Sequence, residues 1–185
     1  MLDRMDESLQ GQLLIASPSL LDPNFRRSVV LVTAHTEEGA MGLVLTRPTP
    51  APVDEAVPHL GHLVGDGERV FLGGPVETSA VTALAELTGG VEPALHVFDG
   101  VGFLPAELDE EIEGAATRTR VFAGYAGWAE GQLEAELAES AWIVEPAQAD
   151  DVFADEPEQL WSDVLRRKGG EFKLLALMPD DPTVN

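Results

Sequence analysis

Val121-Phe-Ala-Gly-Tyr-Ala-Gly-Trp-Ala-Glu-Gly-Gln-Leu-Glu-Ala-Glu-Leu137 puts a strand, three glycines, two large aromatics and an amphipathic helix into one run. Val121 to Tyr125 alternate as a strand end does, and Gly124, Gly127 and Gly131 allow a sharp bend or a close approach. Leu133 and Leu137 fall one turn apart, with Glu134, Glu136 and Glu139 directed elsewhere, so a helix follows. It ends near Ser140, because Ala141-Trp-Ile-Val-Glu-Pro146 reads as a strand stopped by proline. This order places Tyr125 and Trp128 at a junction of elements, as a packed corner or as the rim of a pocket.

Toward the amino terminus, residues 1–11 are polar and read as a flexible segment, and Gln12 to Ala16 as a short apolar strand. Ser17 to Arg26 is a turn-rich connection with two prolines. Val29-Val-Leu-Val-Thr33 is continuous and β-branched, the pattern of a strand buried on both faces. Glu37-Glu-Gly39 closes a loop, and Met41 to Thr46 returns as an antiparallel partner. Arg69 to Leu72, Ser79 to Glu86 and Ala94 to Phe98 read as further strands, and Pro105 to Glu113 as an acidic helix. Pro157 to Lys168 forms the last helix, and Phe172 to Leu177 is apolar enough for a closing strand. About eight strands and three or four short helices, in no regular βαβ rhythm, give an α+β fold with a mixed, mainly antiparallel sheet. Residues 12–185 form one domain, since no linker divides a chain of this length.

Phe122-Ala-Gly-Tyr-Ala-Gly-Trp128 with Gly131-Gln-Leu-Glu134 resembles the signature of the YqgE/AlgH family of small bacterial proteins. Leu13-Leu-Ile-Ala-Ser-Pro-Ser-Leu-Leu-Asp-Pro-Asn-Phe-Arg-Arg-Ser28 and Glu37-Glu-Gly-Ala-Met-Gly-Leu-Val-Leu-Thr-Arg-Pro48 are similar to that family's other block. Phe71-Leu-Gly-Gly-Pro-Val76 and Asn185 fit as well, so the resemblance covers most of the chain. It implies a bent, bifurcated sheet, part of it closed into a small barrel, with helices around it. It also attaches the name of transcriptional regulator.

Charge bounds the partners. Thirty-three acidic residues against 11 basic give a formal net charge of −22, which repels nucleic-acid phosphates and disfavours direct DNA binding. Arg166-Arg-Lys168 is the densest basic run, but it closes a helix just before Gly169-Gly170, where cations and glycine complete a C-terminus. Cysteine is absent, so disulfides, thiol nucleophiles and cysteine-held metals are excluded. No apolar run reaches the ~18 residues of a membrane helix, and the acidic start Met1-Leu-Asp-Arg-Met-Asp-Glu is unlike a signal peptide. A cytoplasmic protein is expected.

Catalytic constellations are weak. Gly124-x-x-Gly127-x-x-x-Gly131 opens a helix but has neither a dinucleotide nor a P-loop spacing, and Glu130 and Glu134 stand where an anion would sit. His59 and His62 could share a metal only on a helix, which Pro58 and Gly61 oppose, so a solvated loop is expected and no metal or cofactor. His96, inside an apolar strand, reads as a core histidine. The serines lack a Gly-x-Ser-x-Gly elbow. A hairpin puts His35 beside Met41 and Arg47 beside Ser28, so Arg47 faces the Asp22 to Ser28 connection, where Asp22 and Phe25 offer a salt bridge and a stacking surface.

The leading expectation is therefore a non-catalytic regulatory or adaptor protein that binds a protein partner or a small ligand. Arg47, Tyr125, Trp128 and Gln132 are its candidate contact residues. The alternatives are a small-substrate hydrolase using His35 with Glu37 or Glu38, and a transcriptional regulator acting through another protein.

Overall fold

The computed structural model describes residues 7–180. Its first unit is a meander: β1 (Gln12–Ala16), β2 (Val29–Thr36) and β3 (Gly39–Val44), all antiparallel, with Leu13 opposite Leu31 and Leu31 opposite Leu43. The β2–β3 hairpin pairs Thr36 with Gly39, as the loop length required. The chain then runs through β4 (Pro48–Pro52), α1 (Val53–Ala56), a 3-10 helix at Pro58–Leu63, β5 (Arg69–Leu72) and β6 (Val76–Leu87). A hairpin of β7 (Leu95–Phe98) and β8 (Val101–Phe103) leads to α2 (Glu110–Ala115), capped by the Asp109 carboxylate accepting from the Ile112 N–H. The 14-residue β9 (Ala116–Ala129), α3 (Gln132–Ala138) and β10 (Trp142–Pro146) follow, then α4 (Ala149–Val152), a 3-10 turn at Pro157–Gln159, α5 (Leu160–Lys168) and α6 (Phe172–Leu175).

The strands share one ten-stranded system ordered β10-β1-β2-β3-β9-β6-β8-β7, with β4 joined to β5 and β5 joined in parallel to β9. The α+β class and the mainly antiparallel sheet are as expected. The barrel is not formed: closure requires the two end strands to pair, whereas β10 bonds only β1 and β7 only β8.

Strand β9 makes the sheet fork. Ala116 to Ala123 pair with β6, and Ala126 to Ala129 pair with β3. The switch occurs at Gly124, in the left-handed region at φ +73°, where a Cβ would stand 2.5 Å from the Gly74 carbonyl oxygen. The glycine-rich stretch is thus a bulged strand that continues to Ala129, not a bend ending at Tyr125. Tyr125 and Trp128 lie within this strand rather than at a corner.

Alternation divides the core. Leu13, Ile15, Val29, Leu31, Leu43 and Leu45 face α5, where Trp161, Val164 and Leu165 complete one cluster. Leu14, Ala16, Val30, Val32 and Val44 face the other way and meet Trp128, Leu133 and Trp142. Both faces of β2 are therefore buried, as its unbroken apolar run predicted. Each such side chain contributes about 1.5–3 kcal/mol of apolar burial. The Trp161 indole N–H donates to the Ala16 carbonyl at 2.9 Å and ties α5 to β1.

Further readings differ from expectation: His96 is exposed on β7, its Nε2 2.7 Å from the Asp99 carbonyl, rather than a core histidine. Phe172 to Leu175 is helical, because Gly169 and Gly170 at positive φ turn the chain straight out of α5 and a short apolar run fits either state. His59 and His62 lie on a 3-10 helix rather than a loop; His62 faces Glu113 at 3.1 Å. Of the segment read as flexible, residues 1–6 lie outside the described residues. Ser8 to Gly11, by contrast, are bonded: the Leu9 N–H donates to His35 Nδ1 at 3.0 Å and the Gly11 N–H to the Val32 carbonyl at 2.9 Å.

Candidate functional site

Residues Asp22 to Ser28 form a tight turn. The Asn24 N–H donates to the Asp22 carboxylate at 2.8 Å, and the Ser28 hydroxyl to the Phe25 carbonyl at 2.6 Å. Arg27 sits in the left-handed region at φ 51°. Two consequences follow from this turn, one on each side of the sheet.

On one side, Phe25 packs against Trp128 and Trp142, with ring centroids 6.3 and 5.7 Å away. The two indole N–H groups donate to the same Glu136 oxygen at 2.9 and 2.8 Å, and Gln132 Nε2 donates to the other at 3.0 Å. Trp128 and Gln132 are thus brought together through Glu136, and Trp128 is 6% exposed, so it is chiefly a packed side chain. Tyr125 points to the opposite face of β9 and packs on the α5-side cluster. It does not join them.

On the other side, Arg26, Arg27 and Arg47 gather around a pocket of about 430 Å³ completed by Pro23, Thr46, Glu158 and Asp180. Arg47 follows β3, where the Leu72 N–H holds its carbonyl at 2.8 Å, and its guanidinium donates to the Arg26 carbonyl. It meets the turn it was expected to meet, at a backbone oxygen rather than at Asp22 or Phe25. Burial pulls its pKa below the ordinary arginine value, and it remains a cation at neutral pH. Thr46 is 5% exposed, and its hydroxyl has no hydrogen-bond partner among the described residues. The Arg27 guanidinium lies over the Trp161 ring at 4.1 Å and pairs with Asp180 at 2.8 Å.

Beside this pocket, sharing Glu158, is a second of about 320 Å³ lined by Arg69, Arg120 and several carboxylates. Arg120 is buried, donates to the Val152 and Ala154 carbonyls at 3.1 and 2.9 Å, and lies 4.5 Å above the Phe71 ring. Five of the 11 basic residues therefore line two adjoining pockets.

The histidine expected to work with Glu37 or Glu38 pairs instead with Glu134, at 2.6 Å. Because His35 Nδ1 accepts from the Leu9 N–H, the ring proton sits on Nε2 and is donated to Glu134. Both ring nitrogens are occupied in tying the amino-terminal segment to α3. The basic run at the end of α5 is likewise engaged: Arg167 grips Asp151 at 2.6 and 2.9 Å, and Lys168 bonds the Val144 carbonyl at 2.9 Å. Among the described residues no cluster of three or more potential metal ligands occurs, and no helix is long and apolar enough to cross a membrane.

Sequence reasoning missed Arg26, Arg27, Thr46 and Glu136. An adjacent arginine pair beside a proline-rich turn in so acidic a chain was a usable signal for the first two. Nothing local announces a buried threonine hydroxyl or a glutamate shared by two indoles.

Comparison with known proteins agrees with this architecture. A UPF0301 protein of Streptomyces coelicolor is 43% identical over 185 residues, covering 96% of each chain. One from Thermobifida fusca is 44% identical, over 100% of this chain and 98% of its own. The crystal structure of a Corynebacterium diphtheriae protein superposes with a TM-score of 0.84 at 30% identity, over 91% of both chains. The solution structure of AlgH from Pseudomonas aeruginosa gives 0.68 at 29% identity, over 97% of this chain and 98% of its own. The family model described as AlgH-like matches residues 13–173, and the chain belongs to this AlgH-like, UPF0301 family.

Proposed function

We propose that the protein is a non-catalytic, cytoplasmic regulatory or adaptor protein that works by holding an anionic group in the Arg26, Arg27 and Arg47 pocket. The observation that carries this reading is that three arginines line one pocket in a chain of net charge −22. Guanidinium forks suit carboxylates and phosphates. Arg47 is the central contact. Trp128 acts behind it as packing, since it stacks on Phe25 in the turn that carries Arg26 and Arg27, and Gln132 bonds the Glu136 that Trp128 shares, whereas Tyr125 packs on the other face.

Direct contact with nucleic acid is disfavoured by the same charge balance, and most basic residues outside the pockets are already ion-paired within the fold. Regulation of transcription would then run through another protein.

The test is titration with inorganic phosphate, followed by amide and arginine Nε resonances. Saturable shifts at Thr46, Arg47 and Arg27 are expected, and their loss in a folded Arg47→Ala protein. Shifts that are absent, or unchanged by that substitution, refute the reading.

A further inference from the structure

Part of this chain forms one wall of the pocket, at Asp180. Arg27 Nη1 donates to the Met178 carbonyl at 2.8 Å and approaches that of Pro179 at 3.4 Å, while Arg27 Nε meets the Asp180 carboxylate at 2.8 Å. Arg26 donates to the Asp180 carbonyl. A small cavity beneath this segment, lined by Leu20, Leu21, Trp161 and Met178 among others, adjoins the arginines on their apolar side. Two arginines thus read consecutive backbone carbonyls and one carboxylate, with an apolar side chain beside them. Arg47 and Thr46 line the same pocket, and neither bonds Met178 to Asp180.

We infer that the pocket is a docking site for an acidic peptide segment of a partner protein, of the form apolar residue, proline, aspartate, and that Met178 to Asp180 stand in for it. This rests on the pocket being the anion site proposed above, and it names the class of anion. The stand-in is built to exchange, because the Asp180 side chain is 89% exposed and an exposed ion pair holds weakly. A longer acidic segment reaches the Arg47 guanidinium, which Met178 to Asp180 do not bond. Local charge permits this. Glu158 and Asp180 are the carboxylates facing the three arginines, and departure of Asp180 leaves the pocket more positive. The remaining negative charge of the protein is screened beyond about 8 Å at physiological ionic strength.

The experiment is fluorescence anisotropy of a fluorescein-labelled peptide Ala-Leu-Met-Pro-Asp-Asp with the full chain. The apparent affinity is reduced by the fraction of molecules whose pocket is filled internally. Asp180→Ala is therefore expected to bind about three- to fivefold more tightly than wild type, and Asp180→Arg more tightly still, since an exposed pair holds by about that factor. Binding is expected to vanish when Arg27→Ala or Arg47→Lys is added, and with a peptide carrying Lys for both Asp residues. Equal affinity of wild type and the Asp180 variants, or equal binding of the Lys peptide, overturns the inference. Phosphate binding that depends on Arg47, without peptide binding, also overturns it while leaving the anion site standing. Failure of both probes on folded protein overturns both. Circular dichroism confirms folding, and the Asp180 variants, altered at an exposed position, keep the test valid if Arg27→Ala does not fold.

Discussion

Replacing Glu136 by Ala removes the acceptor shared by two nearly buried indoles. Trp128 and Trp142 are 6% and 5% exposed, and each donates to one carboxylate oxygen within 2.9 Å. A buried donor left without a partner costs about 1–3 kcal/mol, so two such donors cost about 2–6 kcal/mol. That is a large part of a domain's total stability of about 5–15 kcal/mol. Glu136→Gln keeps a carbonyl oxygen for the indoles and loses only the charge and the oxygen serving Gln132, so its cost falls to about 0.5–1.5 kcal/mol. Urea unfolding at pH 7, followed by far-UV circular dichroism so that indole fluorescence does not confound it, gives both values from midpoints at constant slope. A control isolates the cause. With Trp128→Phe and Trp142→Phe both present no indole donor remains, only the exposed Gln132 amide, and Glu136→Ala is expected to have little further effect. An Ala variant within about 1 kcal/mol of wild type, or a Gln variant as damaged as the Ala variant, refutes the account.

Two further outcomes are expected. Hydrogen bonding to Arg118 lowers the Glu86 pKa, so the group's folded value lies below its unfolded one. Its contribution is present above the unfolded value near ~4.3 and lost as pH falls through the folded value. Glu86→Gln should therefore lose up to about 1 kcal/mol at pH 7, and the gap to wild type should close in acid, measured by urea unfolding across pH. His35→Ala should free the amino-terminal segment, seen as faster hydrogen exchange at the Leu9 amide with the β2–β3 amides still protected; unchanged exchange at Leu9 would show that packing alone holds it.

Much of the fold was legible because burial is written locally. The unbroken run Val29 to Val32 announced a strand covered on both sides, and the two covers are α5 and the tryptophan pair. What failed was chosen by distant partners. Gly124 could have ended a strand or bulged it; the close approach of Gly74, 50 residues earlier in sequence, decides for the bulge and makes β9 one 14-residue strand. Closure into a barrel depends on whether β10 and β7 meet, which no local pattern encodes. At the candidate site hairpin geometry placed Arg47 beside the Asp22 to Ser28 turn, where its guanidinium meets the Arg26 carbonyl. It could not see that Glu134 and Glu136, two glutamates on one helix, face His35 and the indoles, because that requires the three-dimensional path of β2 and β10.

Acidic chains use their few cations sparingly, and hydrogen-bond inventory separates cations that build from cations that bind. Arg120 is engaged mainly in building, although its buried Nε has no partner among the described residues. Two carbonyls take its Nη1, an aromatic ring covers its face and Glu68 approaches at 3.5 Å, so the cost of burying it is offset inside the fold. Arg167 is equally committed to Asp151. Arg47 is different: burial lowers its pKa, yet among the described residues its guanidinium bonds one backbone carbonyl, and the Thr46 hydroxyl next in sequence is buried with no partner among them. A fold that needed only to fasten the Asp22 to Ser28 turn could have used a neutral donor there at less desolvation cost. That surplus charge next to Arg26 and Arg27 is the ground for the proposal that an acidic ligand meets Arg47 there.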